Sequence, residues 1–251
     1  MKIALIGDVH ANLPALEAVL THAHQMKVKA IWNLGDFVGY GAYPDEVVKM
    51  LREIGAISII GNYDSKVLKV KTKEKEWGAK KIPEKWLAFQ WAYEHLSPEN
   101  KIYLNTLPEK RHIHLKGFHI QMTHGSPATP EEPLGPETTD ERLHELATLS
   151  HASIILCGHS HLPFTRWIDE AVFINPGSVG RPDDGDPRAS YAIINLKKKI
   201  IDVSHYRLDY DVQRAAQAIR DNQLPEEFAQ MILKGHSLDD LKEEDLDGLP
   251  N

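Results

Sequence analysis

The chain has 251 residues, enough to bury a sizeable core without a covalent staple, and its 42% hydrophobic and 26% charged residues are ordinary for a globular protein. A formal net charge of −7, with Lys197-Lys198-Lys199 as the basic block, argues against charge-driven binding of a nucleic-acid polymer, and the one cysteine, Cys157, excludes an internal disulfide. No run approaches the ~20 apolar residues that span a bilayer, and the apolar part of MKIALIGDVH is too short for a signal peptide, so no membrane partner and a cytoplasmic location are expected.

The first sixty residues alternate strand and helix. Ile3 to Gly7 reads as a fully apolar strand, and Asn12 as the cap of a helix to about Met26, with Pro14 in its first turn and Leu16, Val19 and Leu20 on one face. Ala30 to Leu34 is a second strand, Pro44 opens a helix that Gly55 ends, and Ile57 to Ile60 is a third strand. Short apolar strands separated by helices imply parallel pairing with both faces of the sheet covered.

Residues 65–111 differ: the Lys-rich stretch KVLKVKTKEKEWGAKK leads to a helix containing Trp86, Phe89, Trp91 and Tyr93, and Ser97 caps a short helix before Pro108. This segment reads as a helical insertion that covers the sheet edge and borders the third motif described below. Strands at 112–115 and 118–123 flank Lys116-Gly117, a pair suited to a two-residue hairpin turn. A Pro- and Glu-rich loop (126–137) precedes a helix from about Thr139 to Leu149. Strands follow near 153–157, 164–168, 171–174, 190–196 and 200–204, the last two joined by a turn at Lys197-Lys198-Lys199. Cys157 ends an apolar run, Ile154-Ile155-Leu156, and reads as a buried strand thiol. The helices at Asp209–Asn222 and Glu226–Leu233 form a C-terminal tail over about 209–251, and its acidic last dozen residues are expected to fray. With no internal repeat and no linker, one domain over 1–251 is expected.

Seven residues able to ligate a metal stand at strand ends or just after them: Asp8 and His10 in IGDVH, Asp36 in LGDFVGYG, Asn62 in IIGNYD, His124 in MTHGS, and His159 and His161 in CGHSH. The carboxyl edge of an open α/β sheet is where loops from several strands converge on a ligand. Any one of these residues can be an ordinary turn residue; the ordered set, each segment carrying a glycine, is what points to a site.

In that order, GDVH, LGD with a following GYG, GNYD, THG and GHSH resemble the calcineurin-like metallophosphoesterases over roughly residues 1–205, and NPGSVGRP (175–182) is similar to the small bacterial and archaeal phosphodiesterase-like branch. The resemblance implies an α/β fold in which two mixed β-sheets pack as a sandwich between helical layers. It also implies two divalent ions sharing a bridging carboxylate: Asp8, His10, Asp36 and His161 on one, and Asp36, Asn62, His124 and His159 on the other. A nitrogen and oxygen donor set without thiolate suits Mn, Fe, Ni, Co or Zn, with Mn favoured. Two such ions ~3.5–4 Å apart clamp phosphate oxygens and activate a bridging hydroxide for in-line attack on phosphorus.

The chain departs from the family at Tyr63, where many members have a histidine that pairs with the following acid, here Asp64, and protonates the leaving group. A tyrosine of ordinary pKa ~10 is a poorer acid near neutrality. Hydrolysis of phosphodiesters or phosphoanhydrides is therefore expected over alkyl monoesters, with Asp36, Asn62, Tyr63 and Asp64 in the catalytic set; the other reading of Tyr63 is packing at the site rim. A phosphomonoesterase, a dinucleoside polyphosphate hydrolase and a non-catalytic nucleotide- or protein-binding module on the same fold are the alternatives. Asn12, Tyr40 and Arg181 are candidate contacts for a small phosphate ester or nucleotide; helix capping also accounts for Asn12, a surface ion pair for Arg181, and Tyr40 is placed at the cleft edge. The acidic run Asp183-Asp184-Gly185-Asp186 reads as a solvated turn.

Overall fold

A computed structural model of the protein describes residues 1–77, 82–198 and 200–247. In chain order the elements are β1 (Lys2–Ile6), α1 (Leu13–Gln25), β2 (Ala30–Asn33), α2 (Pro44–Glu53), β3 (Ile57–Ser58), α3 (Asn62–Leu68), α4 (Val70–Trp77), α5 (Pro83–His95), α6 (Pro98–Thr106), β4 (Lys110–Leu115), β5 (Phe118–Thr123), α7 (Asp140–Ser150), β6 (Ile154–Leu156), β7 (Phe164–Ile168), β8 (Ala171–Asn175), β9 (Ala189–Lys197), β10 (Ile200–Leu208), α8 (Val212–Asp221), α9 (Glu226–Lys234) and α10 (Leu238–Asp247).

Among the described residues ten strands form two mixed sheets of five, ordered β10-β9-β1-β2-β3 and β4-β5-β6-β8-β7. The apolar strands β1, β2 and β3 pair in parallel, as their buried runs require, and β9 joins β1 antiparallel. In the second sheet β5, β6 and β8 are parallel, with antiparallel β4 and β7 at the edges. Successive side chains on a strand point to opposite faces, and that alternation builds the layers. Ile3 and Leu5 of β1 join Ile120, Met122, Ile154, Leu156, Val172 and Ile174 in the core between the sheets. Ala4 and Ile6 face the other way, against Leu16 and Val19 of α1 and Val47, Val48 and Leu51 of α2. Ile155 and Cys157 face out of the second sheet against Leu143 and Leu146 of α7. Helices, two sheets and a helix thus form four layers.

The segment after β3 differs from its reading at two points. Only Ile57 and Ser58 pair with β2; the Ile60 N–H donates instead to the Pro108 carbonyl (3.0 Å), so the returning chain covers this sheet edge. The Lys-rich stretch is helical from Asn62 onward as α3 and α4, with residues 78–81 lying outside the described part. Phe89 and Ala92 of α5, Leu96 just after it and Leu104 of α6 join the core on the outer face of the first sheet. Lys116 and Gly117 both have positive φ (54° and 88°), the conformation a two-residue type I′ hairpin needs. Lys197 pairs with Ile200 at the β9–β10 turn; Lys199 lies outside the described residues. Where fraying was expected, α10 is helical to Asp247, and 248–251 lie outside the described residues. Ala216, Ile219, Phe228 and Met231 of α8 and α9 pack with Tyr40 and Ala42, placing the C-terminal helices behind the second motif. Among the described residues no helix is long and apolar enough to cross a membrane.

Candidate metal centre

The seven candidate ligands come from the carboxyl ends of β1, β2, β3, β5 and β6, which the parallel pairing aligns at one edge of the two sheets. Asp8, His10, Asp36, His159 and His161 all have φ between 47° and 68°, a left-handed backbone rare outside glycine. The turns that hold this strain are fixed by backbone hydrogen bonds: Asp8 N–H to the Gly35 carbonyl and His10 N–H to the Asp36 carbonyl, each 3.0 Å, and Gly158 N–H to the His124 carbonyl, 2.7 Å.

Two clusters result, one of Asp8, His10 and His161 and one of Asp8, Asp36 and His124. In the first, His10 Nε2 lies 3.2 Å from His161 Nε2, and His161 Nε2 lies 3.4 Å from Asp8 Oδ1. In the second, Asp36 Oδ2 is 3.3 Å from His124 Nε2, which is also 3.1 Å from Asn62 Oδ1. The same Asp36 oxygen is 3.8 Å from His10 Nε2, so this carboxylate reaches both clusters. His159 stands further out: its ring is 5.2 Å from that of His124, and its Nε2 donates to the Glu131 carbonyl at 3.1 Å.

The chemistry of these groups fits a cation. His10 Nδ1 donates to the Val38 carbonyl (3.3 Å) and His124 Nδ1 to the Leu34 carbonyl (2.8 Å), which turns both Nε2 atoms toward the centre. His161 Nδ1 faces Asp183 Oδ2 at 2.9 Å, an ion-pair contact rather than a well-aligned hydrogen bond. Two imidazoles presenting Nε2 to each other at 3.2 Å are better satisfied by a shared cation than by one another. Asp8 Oδ1 is buried and takes no hydrogen bond, a state that costs free energy unless a positive charge sits beside it.

The electrostatics agree. Burial would raise Asp8 and Asp36, yet His161 beside the first and His124 and His10 beside the second hold both carboxyls below their usual range. Burial would lower His124, yet the Asp36 carboxylate drives it up to about 10. His161, against burial and the Arg181 charge, is raised to about 9 by Asp183 and Asp8, while His10, lowered by burial and Arg181, falls to about 3. The buried carboxylates demand positive charge.

The remaining predicted residues take several positions. Asp64 is buried beneath the site; its Oδ1 accepts from Phe37 N–H (2.9 Å) and Val38 N–H (3.2 Å) and its Oδ2 from Gly61 N–H (3.0 Å). It ties the second motif to the third and contacts backbone rather than an open cleft. Tyr63 donates its backbone N–H to Asp36 Oδ1 (2.8 Å), sets its ring edge-on to His10 (5.1 Å) and Phe89 (5.0 Å), and shares a 2.8 Å hydrogen bond with the Tyr40 hydroxyl. Burial and the neighbouring Tyr40 raise its phenol well above the usual range. Tyr40, only 4% exposed, lies beneath Tyr63 rather than at a cleft edge, with the Arg181 guanidinium 4.9 Å from its ring centre. Arg181 is paired with Asp183 (2.9 Å), but its side chain is 13% exposed, so this is an interior ion pair and not a surface one. The Asn12 amide caps α1 through Ala15 N–H (3.2 Å) and donates to the Gly180 carbonyl (2.9 Å), joining the first and last motifs.

Sequence reading overlooked Asp183 and Glu131. Asp183 is no solvated turn residue: its side chain is 17% exposed and bridges Arg181 and His161. Its place two residues after Arg181, at the end of NPGSVGRP, was the available signal. Glu131 acts through its backbone carbonyl, which carries no side-chain signature.

The model of the calcineurin-like phosphoesterase superfamily domain matches residues 1–199. The chain is 34% identical over 252 residues to the uncharacterized protein MJ0912 of Methanocaldococcus jannaschii, covering 93% of this chain and 98% of that one. It is 28% identical over 205 residues to the phosphodiesterase YfcE of Escherichia coli, covering 78% and 88%. Among solved structures it is similar to a metallophosphoesterase from Sphaerobacter thermophilus, with a TM-score of 0.79, 32% identity and coverage of 94% and 99%. A hypothetical protein of Pyrococcus horikoshii shares the fold at a TM-score of 0.84 and 20% identity, covering 94% and 99%.

Proposed function

Because the chain belongs to the calcineurin-like phosphoesterase superfamily, we propose that it hydrolyses phosphodiester or phosphoanhydride bonds of small substrates with two divalent transition-metal ions, Mn foremost. Asp8, His10, Asp36 and His161 would hold one ion and Asp36, Asn62, His124 and His159 the other, His159 exchanging its Glu131 contact for a ligand role. When bound, the ions supply Lewis acidity toward the phosphate oxygens and an activated water near neutral pH. The protein's own part is positioning. Asp64 locks the 36–38 turn against Gly61, Tyr63 N–H fixes one oxygen of Asp36, and the left-handed turns aim the ligands before any substrate arrives.

The preference for diesters and anhydrides rests on the Tyr63 hydroxyl. It is engaged with Tyr40, and burial raises it further from any pKa useful for proton donation at neutrality. A leaving group that needs no proton is then favoured over an alkoxide. The 28% identity to a protein named phosphodiesterase points the same way. With Mn, bis-p-nitrophenyl phosphate should be hydrolysed faster than p-nitrophenyl phosphate; a tenfold preference for the monoester would overturn the reading.

A further inference from the structure

Beside Asn62 opens a cleft of about 310 Å³ that the seven ligands do not account for. One wall is the face of α3 and α4 carrying Asn62, Lys66, Lys69, Lys73 and Trp77; the other is the loop at Thr129–Glu131. Asn62 and Lys66 stand one turn apart on α3, about 6 Å by the helical rise, Lys69 at the turn that joins α3 to α4, and Lys73 and Trp77 one turn apart on α4, all lining the cleft. The opposite wall reaches the same centre, since the Glu131 carbonyl accepts from His159 Nε2 at 3.1 Å. Lys66 spans the cleft to Glu131 (2.8 Å), and Lys73 pairs with Glu76 (2.6 Å). On a chain of net charge −7, the lining sets Lys66, Lys69 and Lys73 against Glu109 and Glu131, an excess of one positive charge with Lys66 and Glu131 paired to each other.

Resting on the phosphoesterase reading and deepening it, we infer that this cleft takes a second phosphate of the substrate. The preferred substrate is a short phosphodiester bearing another phosphate one nucleoside away from the scissile phosphorus, the scissile group at Asn62 and the second at Lys69 and Lys73. Lys66, held by Glu131, stands between them, and Trp77 closes the far end. An exposed lysine beside a phosphate contributes roughly threefold to fivefold in affinity, so two give about tenfold, reduced by salt.

The test uses two chromogenic esters that differ by one phosphate: thymidine 3′-phosphate 5′-(p-nitrophenyl phosphate) and thymidine 5′-(p-nitrophenyl phosphate). With Mn, the wild type should favour the first about tenfold in kcat/KM. The Lys69→Gln/Lys73→Gln double variant should bring that ratio below threefold and leave turnover of bis-p-nitrophenyl phosphate unchanged. A wild-type ratio near one, or a ratio that survives the double substitution, overturns the inference. Calorimetric binding of thymidine 3′,5′-bisphosphate and thymidine 5′-phosphate separates the two readings. If bis-p-nitrophenyl phosphate is not hydrolysed, the phosphodiesterase reading fails; a bisphosphate advantage that the double variant abolishes upholds the lysine site, and equal affinities refute it.

Discussion

Replacing Asp183 by Asn tests the least visible part of the centre. Asp183 Oδ2 lies 2.9 Å from both His161 Nδ1 and an Arg181 guanidinium nitrogen. Against its burial, these two cations hold the carboxyl well below the usual range. Asn keeps the shape and removes the charge. His161 then loses the group that orients its ring, and Arg181, at 13% exposure, is left as an uncompensated positive charge beside the centre. Loss of an outer partner of a metal-ligating histidine weakens metal binding by about 10–100-fold, or roughly 1.4–2.7 kcal/mol. Breaking a buried ion pair costs about 3–5 kcal/mol; because both side chains retain some solvent contact, about 2–3 kcal/mol of folding stability is the fitting figure here. Competition of Mn or Zn against a chromophoric chelator measures the first quantity, and urea unfolding of chelator-treated protein the second. The double variant Asp183→Asn/Arg181→Met removes the stranded charge and should recover part of both losses. Metal affinity of Asp183→Asn within twofold of wild type would refute this account of how His161 is held.

Three further outcomes are expected. Asp36→Asn and His124→Ala should lower metal content and phosphoesterase activity together, by metal analysis and assay of the same preparations; activity retained without metal would contradict the assignment. Tyr63→His should raise the rate on p-nitrophenyl phosphate relative to bis-p-nitrophenyl phosphate, and an unchanged ratio would show that the hydroxyl at this position does not set the preference. Asp64→Asn presents an amide N–H₂ to backbone donors that now meet carboxylate oxygens. Its unfolding free energy should fall by about 2–4 kcal/mol, read as a lower urea midpoint with unchanged slope.

The candidate ligands were legible because each is polar at the end of an apolar run, a position where few packing demands compete with function. The parallel strand β1 was legible for a related reason: it is buried on both faces, so its sequence from Ile3 to Ile6 is continuously apolar, and β2 and β3 lie in mostly apolar runs. The second sheet was less explicit. Its edge strand β4 alternates exposed and half-buried residues, and its packing on the first followed from family resemblance alone. The start of α3 at Asn62 was missed because the face it turns to the cleft is polar and carries lysine, which leaves no apolar stripe there. Asp183 was misread because its partners His161 and Arg181 are brought to it by the folded turn, and an acidic run of DDGD looks solvated until those neighbours are in place. Tyr40 was assigned to the cleft edge from its glycine neighbours, whereas Phe228 of α9, 5.0 Å away, shows that the C-terminal helices cover it.

The left-handed backbone at Asp8, His10, Asp36, His159 and His161 has a consequence for how this protein tolerates change. Each such residue costs on the order of 1–2 kcal/mol relative to glycine in the same conformation. Glycine at any of the five would therefore relieve backbone strain while deleting a donor atom. Selection for stability alone would erode the centre, one position at a time, into a more robust protein with nothing to bind. Five side chains of the candidate centre are thus carried on backbone that glycine would hold at lower cost.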